Sequence, residues 1–287
     1  MNEKRVIAVD SQMLEGIQTC SRYYNYAFVR HITTHKSKFY LDRGTLLHSI
    51  LSEYYSNGKN MDNAISKSWI ESAELTLTGE EVEEVHNNLR DYAEHYSSDR
   101  WEALTDTEGQ PLIERVATKI LFEDENFMFV YQGVIDLQIC IAGMSLPDGL
   151  VIVDHKSTNR RSALIDLNNQ FIGYCWMTGC QRIIKNEIGF QKSLKPHERF
   201  VRHLLSYEAT RIEEWVENSI HWLKQLVFCH EADIWPMNLT SCSKWSSFLT
   251  GGGCMMIDVC TATPDFREYK LERDYKIREP WDVGRKL

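Results

Sequence analysis

Long apolar runs are missing from this chain: no stretch approaches the roughly 18 residues a membrane helix needs, and Met1 to Asp10 has no run of signal-peptide length. Those two absences lead to an expectation of a cytosolic protein without a membrane partner. Glycine and proline are scarce, 15 and 6 residues of 287, which argues against long linkers and low-complexity segments. No internal repeat is visible. An excess of basic charge is also lacking, because the net charge is -9, and nonspecific coating of nucleic acid is driven by phosphate neutralisation. A local basic groove stays compatible with that total. Finally, the 8 cysteines include no Cys-x2-Cys knuckle of the kind structural zinc sites use. Hydrophobic and charged contents of 43% and 25% are those of an ordinary globular chain, long enough for one large domain with a helical insertion.

Periodicity divides the chain into elements. Asp10 or Ser11 is placed to cap a short helix bearing Met13, Leu14 and Ile17, which leads to Cys20 and the run Arg22-Tyr23-Tyr24-Asn25-Tyr26. That run reads either as a packed tyrosine cluster or as a surface for base stacking. Gly44 to Asn57 has a helical stripe of Leu47, Ile50, Leu51 and Tyr54, with His48 at its edge. From about 60 to 101 the pattern stays helical, and Thr78 with Glu81 has capping-box spacing. The acidic residues Glu80, Glu81, Glu83 and Glu84 read as a solvated face. Strands are expected from Leu112 through Ile141, with Glu114 read as an exposed strand residue in preference to an assisting carboxylate, then after a turn at Gly143 to Gly149. A helix over Ala163 to Thr178 presents Leu167, Gln170, Phe171 and Tyr174 on one face, and strands follow at Ile183 to Phe190 and Phe200 to Tyr207. Between 182 and 203 lie Arg182, Lys185, Lys192, Lys195, Arg199 and Arg202 against Glu187 and Glu198, a basic hairpin in an acidic protein. An amphipathic helix over Ala209 to Cys229 precedes a C-terminal stretch with little periodicity.

Leu150 to Thr158, Leu-Val-Ile-Val-Asp-His-Lys-Ser-Thr, stands at the centre of the chemistry. Four apolar residues suit a strand buried on both faces, and Asp154 and Lys156 then share one face while His155 takes the other. A hairpin centred near Leu146 sets Asp136 close to Lys156 and diagonal to Asp154. Two aspartates and a lysine converging in a buried place would be costly without a partner, so the readings are a divalent cation site or a simple Asp–Lys ion pair.

In order along the chain come Gly44-x3-His48, Gly133-x2-Asp136, Asp154-x-Lys156 and Gln170-x3-Tyr174. This ordered set resembles the PD-(D/E)xK nuclease superfamily, and within it the RecB-like branch that includes CRISPR-associated exonucleases and AddB-type nuclease domains. The resemblance covers about Gly44 to Tyr207. It implies an α/β restriction-endonuclease-like core, a central mixed sheet flanked by helices, within a single nuclease domain: an arm over 1–43, a core over 44–207 with a helical insertion near 60–101, and a C-terminal segment over 208–287. It implies Mg²⁺ or Mn²⁺ held by His48, Asp136, Asp154 and the backbone carbonyl of His155. Lys156 would polarise the phosphate or position the attacking water, Gln170 would brace the site, and Tyr174 would brace it and contact DNA. The substrate implied is DNA, single-stranded or at ends, with Arg182, Lys185, Lys192 and Lys195 of the basic hairpin available to its backbone. A non-catalytic DNA-binding subunit of a recombination or spacer-acquisition complex, with a protein partner, is the alternative.

Cys140, Cys175, Cys180 and Cys229 fall on regular elements and read as small buried hydrophobes. Cys20, Cys242, Cys254 and Cys260 instead flank the core in aperiodic sequence. Their arrangement resembles the iron–sulfur staple of the same relatives, which implies a 4Fe–4S cluster clasping the N-terminal arm to the C-terminal segment. Zinc, or no metal at all, remains open for these four residues.

Overall fold

Alternation decides the longest strand, where buried Phe127, Phe129, Tyr131, Gly133 and Ile135 are separated by half-buried neighbours. The rhythm then breaks, and Ile135, Asp136 and Leu137 are buried in succession, so a carboxylate is drawn inside. The computed structural model describes residues 4–35, 39–140, 149–159, 166–191, 193–245 and 253–280.

In chain order the elements begin with β1 (Arg5–Val9), α1 (Ser11–Thr19), α2 (Ser21–Tyr24), a π-helical turn (Asn25–Val29) and β2 (Ile32–Thr34). Three helices follow, α3 (Phe39–Ser56), α4 (Met61–Ser72) and α5 (Gly79–His95). Then come β3 (Ile113–Glu123), β4 (Phe127–Cys140), β5 (Leu150–Thr158), α6 (Asn169–Thr178), β6 (Arg182–Gly189), α7 (Pro196–Arg199) and β7 (Phe200–Ser206). The chain closes with α8 (Ala209–Ala232), α9 (Leu239–Trp245), α10 (Ile257–Thr261), α11 (Arg267–Asp274) and β8 (Tyr275–Ile277).

These residues form two units. The first comprises Met1–Lys36, Thr118–Gln132 and Glu213–Arg285, and the second is built from Ser37–Ala117 and Gly133–Ile212. In the second unit β4 pairs antiparallel with β5, β5 parallel with β6, and β6 antiparallel with β7, which makes the sheet mixed. Helices α3, α4 and α5 share one apolar core with it, in which Leu46, Leu47, Ile50 and Leu51 of α3 meet Val151 and Val153 of β5. This α/β arrangement of a central mixed sheet flanked by helices is that of a restriction-endonuclease-like core. The capping box expected at Thr78 forms: Glu81 N–H donates to the Thr78 hydroxyl at 3.3 Å, and Thr78 N–H donates to Glu81 at 2.7 Å.

Several expectations need correcting. The hairpin pairs Leu137 with Val153, two residues from the expected register, so its continuation sets Asp136 opposite Asp154 and not opposite Lys156. Its turn, at 141–148, lies outside the described residues. Helix α6 begins at Asn169 because the Asn168 side chain accepts from the N–H groups of Gln170 and Phe171, a stop that helical spacing does not reveal. Leu167 therefore precedes the helix and is exposed, while residues 160–165 lie outside the described set. Near the N-terminus α3 starts earlier than expected, at Phe39.

Within the first unit β1 runs parallel to the opening residues of β4, and Asp10 caps α1 by accepting from Met13 N–H at 2.8 Å. Its aperiodic C-terminal segment is organised by pairing and packing. Strand β8 pairs with β2, and Tyr26, Ile32, Met256, Val259, Leu271 and Tyr275 form one buried cluster.

Candidate active site

Strand β5 carries its charge into the interior: Asp154 is only 1% exposed. Such a carboxylate must be matched, and the Lys156 ammonium lies 2.9 Å from it, two residues along the same face. Lys156 also donates to Gln170 Oε1 at 2.9 Å, and Gln170 Nε2 donates to the Tyr174 hydroxyl at 3.0 Å. The four residues thus form a single hydrogen-bonded line, with Gln170 and Tyr174 one turn apart on α6. Gly133 completes it from behind. A Cβ at position 133 would lie 2.5 Å from Tyr174 Cε1, so the Gly133-x2-Asp136 motif is tied sterically to Gln170-x3-Tyr174.

The second group of ligands comes from three other elements. His48 of α3, Glu114 of β3 and Asp136 of β4 each offer one ligand atom, and all lie within 4.8 Å of one another. His48 Nδ1 is 3.4 Å from both Glu114 Oε1 and Asp136 Oδ2. Asp136 Oδ2 also accepts from the backbone N–H of His155 at 2.7 Å, a bond that joins this group to β5. Glu114 has φ of +48°, a left-handed conformation that costs a non-glycine residue energy and recurs where function fixes the backbone.

Electrostatics follow from this crowding. Burial alone would depress the His48 pKa, yet Asp136 and Glu114 beside it raise it to about 9. Burial raises Asp154 to about 6 against the pull of Lys156, and raises Asp136 likewise against the pull of His48. Lys156 is opposed by its own burial, but Asp154 and Asp136 outweigh this and raise its pKa.

The donor set fits a divalent ion. Carboxylate oxygens suit Mg²⁺ and Mn²⁺, and one neutral imidazole suits Mn²⁺. Asp154 Oδ2 is buried, lies 2.9 Å from the Lys156 ammonium and accepts no hydrogen bond of good geometry among the described residues, which leaves this oxygen capacity for an ion.

Glu114 is the residue that sequence reasoning undervalued. It is half-buried beside His48 and not exposed on a strand, and its positive φ leaves no trace in the sequence. The basic hairpin also differs from its one-dimensional reading. Lys185 is 13% exposed and pairs with Glu187 at 2.5 Å, while Arg199 binds Asp91 and Arg202 binds Asp99. Lys195 precedes α7, its backbone N–H donating to Glu198 at 2.9 Å. Arg182 opens β6, and Lys192 lies outside the described residues. Near Cys20, Tyr24 and Tyr26 are buried, in keeping with the packed cluster.

Among the described residues the cysteines form no group of three with ligand atoms as close as 4.8 Å. Cys20 is buried, and Cys242, Cys254 and Cys260 are half-buried in the first unit. Cys175, Cys180 and Cys229 are buried as expected, whereas Cys140 is only partly so.

The PD-(D/E)XK nuclease superfamily matches over residues 12–244, and the chain belongs to that superfamily. No curated protein matches the chain. Among solved structures it is similar to the crystal structure of SSO0001, at 13% identity over 77% of each chain, with a TM-score of 0.33.

Proposed function

We propose that this chain is a Mg²⁺- or Mn²⁺-dependent deoxyribonuclease of the RecB-like branch, acting as an exonuclease on single strands or DNA ends. The observation that carries this reading is the joining of two sets: the Asp154–Lys156–Gln170–Tyr174 line and the His48–Glu114–Asp136 group, linked by the bond from His155 N–H to Asp136. His48, Asp136 and Asp154 hold the ion, with the His155 carbonyl and with Glu114 as an added carboxylate. When bound, the ion lowers the pKa of a coordinated water and offsets charge on the phosphate. Lys156 presents a fixed positive charge where negative charge grows during attack. Gln170 holds the ammonium in place through its Oε1, and Tyr174 holds Gln170. Tyr174 and the hairpin cations Arg182, Lys192 and Lys195 serve the DNA, whereas Lys185 is engaged by Glu187.

A 4Fe–4S cluster on Cys20, Cys242, Cys254 and Cys260 belongs to the same reading. Burial raises the thiol pKa of Cys254, and the charges of Cys20 and Cys242 add to it; at Cys260, burial again leads, with Cys254, Cys20 and Cys242 contributing. The charges these thiols exert on Cys254 and Cys260 support a shared site, and four thiolates are what a 4Fe–4S cluster takes. Cys20 is held by the segment before Cys242: Arg22 N–H donates to Pro236 O at 3.2 Å, and Asn238 Nδ2 to Thr19 O at 3.0 Å.

Strands labelled at the 5′ or 3′ end, single and duplex, should shorten progressively from one end in Mn²⁺ or Mg²⁺. Internal cuts would replace the exonuclease by an endonuclease, and binding without any cleavage would favour the DNA-binding subunit. Protein prepared without oxygen should be brown, and Cys254→Ala should bleach it. Colourless wild-type protein with stoichiometric zinc would remove the cluster.

A further inference from the structure

His155 lies on the face of β5 opposite Asp154 and Lys156, is 2% exposed, and is used by the proposed chemistry only through its backbone. Its side chain nevertheless belongs to a buried polar network that draws on four further elements. Asn186 of β6 places its amide nitrogen 2.8 Å from His155 Nδ1 and 2.9 Å from the hydroxyl of Tyr92 on α5. The same hydroxyl accepts from Arg202 of β7 at 3.1 Å and lies 2.9 Å from the hydroxyl of Tyr55 on α3. Tyr55 in turn stacks on the His155 ring, with centroids 5.8 Å apart and planes 10° from parallel. Arg202 is fixed at the far end by Asp99 at 2.9 Å and by the rings of Tyr96 and Trp101, 3.5 and 3.4 Å away.

Hydrogen-bond counting gives this network one proton order. A tyrosine hydroxyl has one proton and two lone pairs. With both lone pairs of Tyr92 taken by Asn186 and Arg202, its proton goes to Tyr55. The Asn186 amide has two N–H groups, one for Tyr92 and one for His155, so His155 Nδ1 must accept and its proton resides on Nε2. Turning the amide over would put both N–H groups where Asn186 Oδ1 now sits, buried without a hydrogen-bond partner among the described residues. Stranding two donors there is worse than stranding one acceptor.

We infer that His155 is a positioning residue: Asn186, ordered by Tyr92 and Arg202, locks its imidazole in the Nε2–H form and so fixes the backbone N–H that holds Asp136 Oδ2 for the divalent ion. The inference rests on the reading of Asp136 as a metal ligand. Groups that orient a ligand from behind in this way change metal affinity by about 10- to 100-fold when removed.

Replacement chemistry separates this role from simple packing. In His155→Asn the amide oxygen can occupy the place of Nδ1 and accept from Asn186, whereas His155→Leu keeps bulk and loses the acceptor. Mn²⁺ titration should show at least about tenfold weaker binding in His155→Leu and in Asn186→Leu, with His155→Asn close to wild type. Equal affinity in wild type and His155→Leu, or no advantage of Asn over Leu, would overturn the inference. Nitrogen-15 NMR of the unsubstituted protein gives an answer even where a variant fails to fold. It should report a bare Nδ1 and a protonated Nε2 at position 155, and a protonated Nδ1 would overturn the inference by itself. Neither measurement uses DNA, so Mn²⁺ binding with the Nε2–H form but no cleavage would defeat the nuclease reading and leave His155 in this role.

Discussion

The candidate active site in the second unit and the cysteine-bearing segment of the first are ordered by opposite means. At the active site buried charges fix one another: Lys156 is bound to Asp154 and Gln170, and His48 lies between Glu114 and Asp136. Around the cysteines, backbone pairing of β2 with β8 and an apolar cluster provide the order, and the thiols lie beside it. Charge without a partner is costly inside a protein, whereas a thiol is a tolerable small hydrophobe. If both regions bind metal as proposed, its loss should be felt electrostatically in one and mechanically in the other.

The sharpest way to break the comparison is at Lys156. Lys156→Ala should reduce cleavage by about 10²- to 10³-fold, the usual cost of one well-placed electrostatic group, with little change in circular dichroism. Wild-type rates in this variant would remove the charge-based half of the comparison.

Next in size is Gly133→Ala, which tests whether order spreads along the line from Tyr174 to Lys156. The added methyl meets the Tyr174 ring, and overpacking of this kind costs about 1–3 kcal/mol. Denaturant unfolding should show that loss together with reduced cleavage. Reduced stability with unchanged cleavage would uncouple Tyr174 from the lysine.

Proton competition gives a third test. In the metal-free protein His48, raised to about 9, holds a proton that a divalent ion must expel. Mn²⁺ affinity should climb by up to about tenfold per pH unit between about pH 6.5 and 9 and flatten above. The stability contribution runs in the reverse sense. A histidine whose folded pKa is raised stabilises fully below about 6.5, and that stabilisation is lost as pH rises towards 9. A Mn²⁺ affinity independent of pH would contradict the neighbour charges assigned to His48.

The smallest effect belongs to the cysteines. Cys254→Ala should bleach the protein and lower its melting temperature by only a few degrees, because β2, β8 and the apolar cluster remain. Complete unfolding on loss of colour would show that the cluster, and not the polypeptide, orders this segment.

Much of this was legible in one dimension. Val151, Ile152 and Val153 announce a strand buried on both faces, and period-two spacing puts Asp154 and Lys156 together, as the sheet shows. Thr78 and Glu81 mark a helix start that the structure places within one residue. What stayed hidden depends on the third dimension. The register of β4 against β5 lies two residues from the one periodicity suggests, and the Asn168 cap starts α6 at a point helical spacing does not mark. Glu114 enters the site through a left-handed backbone. The basic hairpin shows the limit of counting charge, since Arg199 and Arg202 find their acids on the α5 side, far away in sequence. The part played by the His155 side chain was hidden because its partners, Asn186 and Tyr92, come from separate elements.

The central claim is that carboxylates and His48 of the second unit hold a divalent ion that serves DNA hydrolysis. It is tested most directly by following an end-labelled single strand with wild-type protein in Mn²⁺, after EDTA, and after Mn²⁺ is restored, with Asp136→Asn alongside. The expected result is shortening that stops with EDTA, returns with Mn²⁺ and is absent in the variant. Undiminished cleavage in EDTA, or wild-type rates in Asp136→Asn, would contradict it.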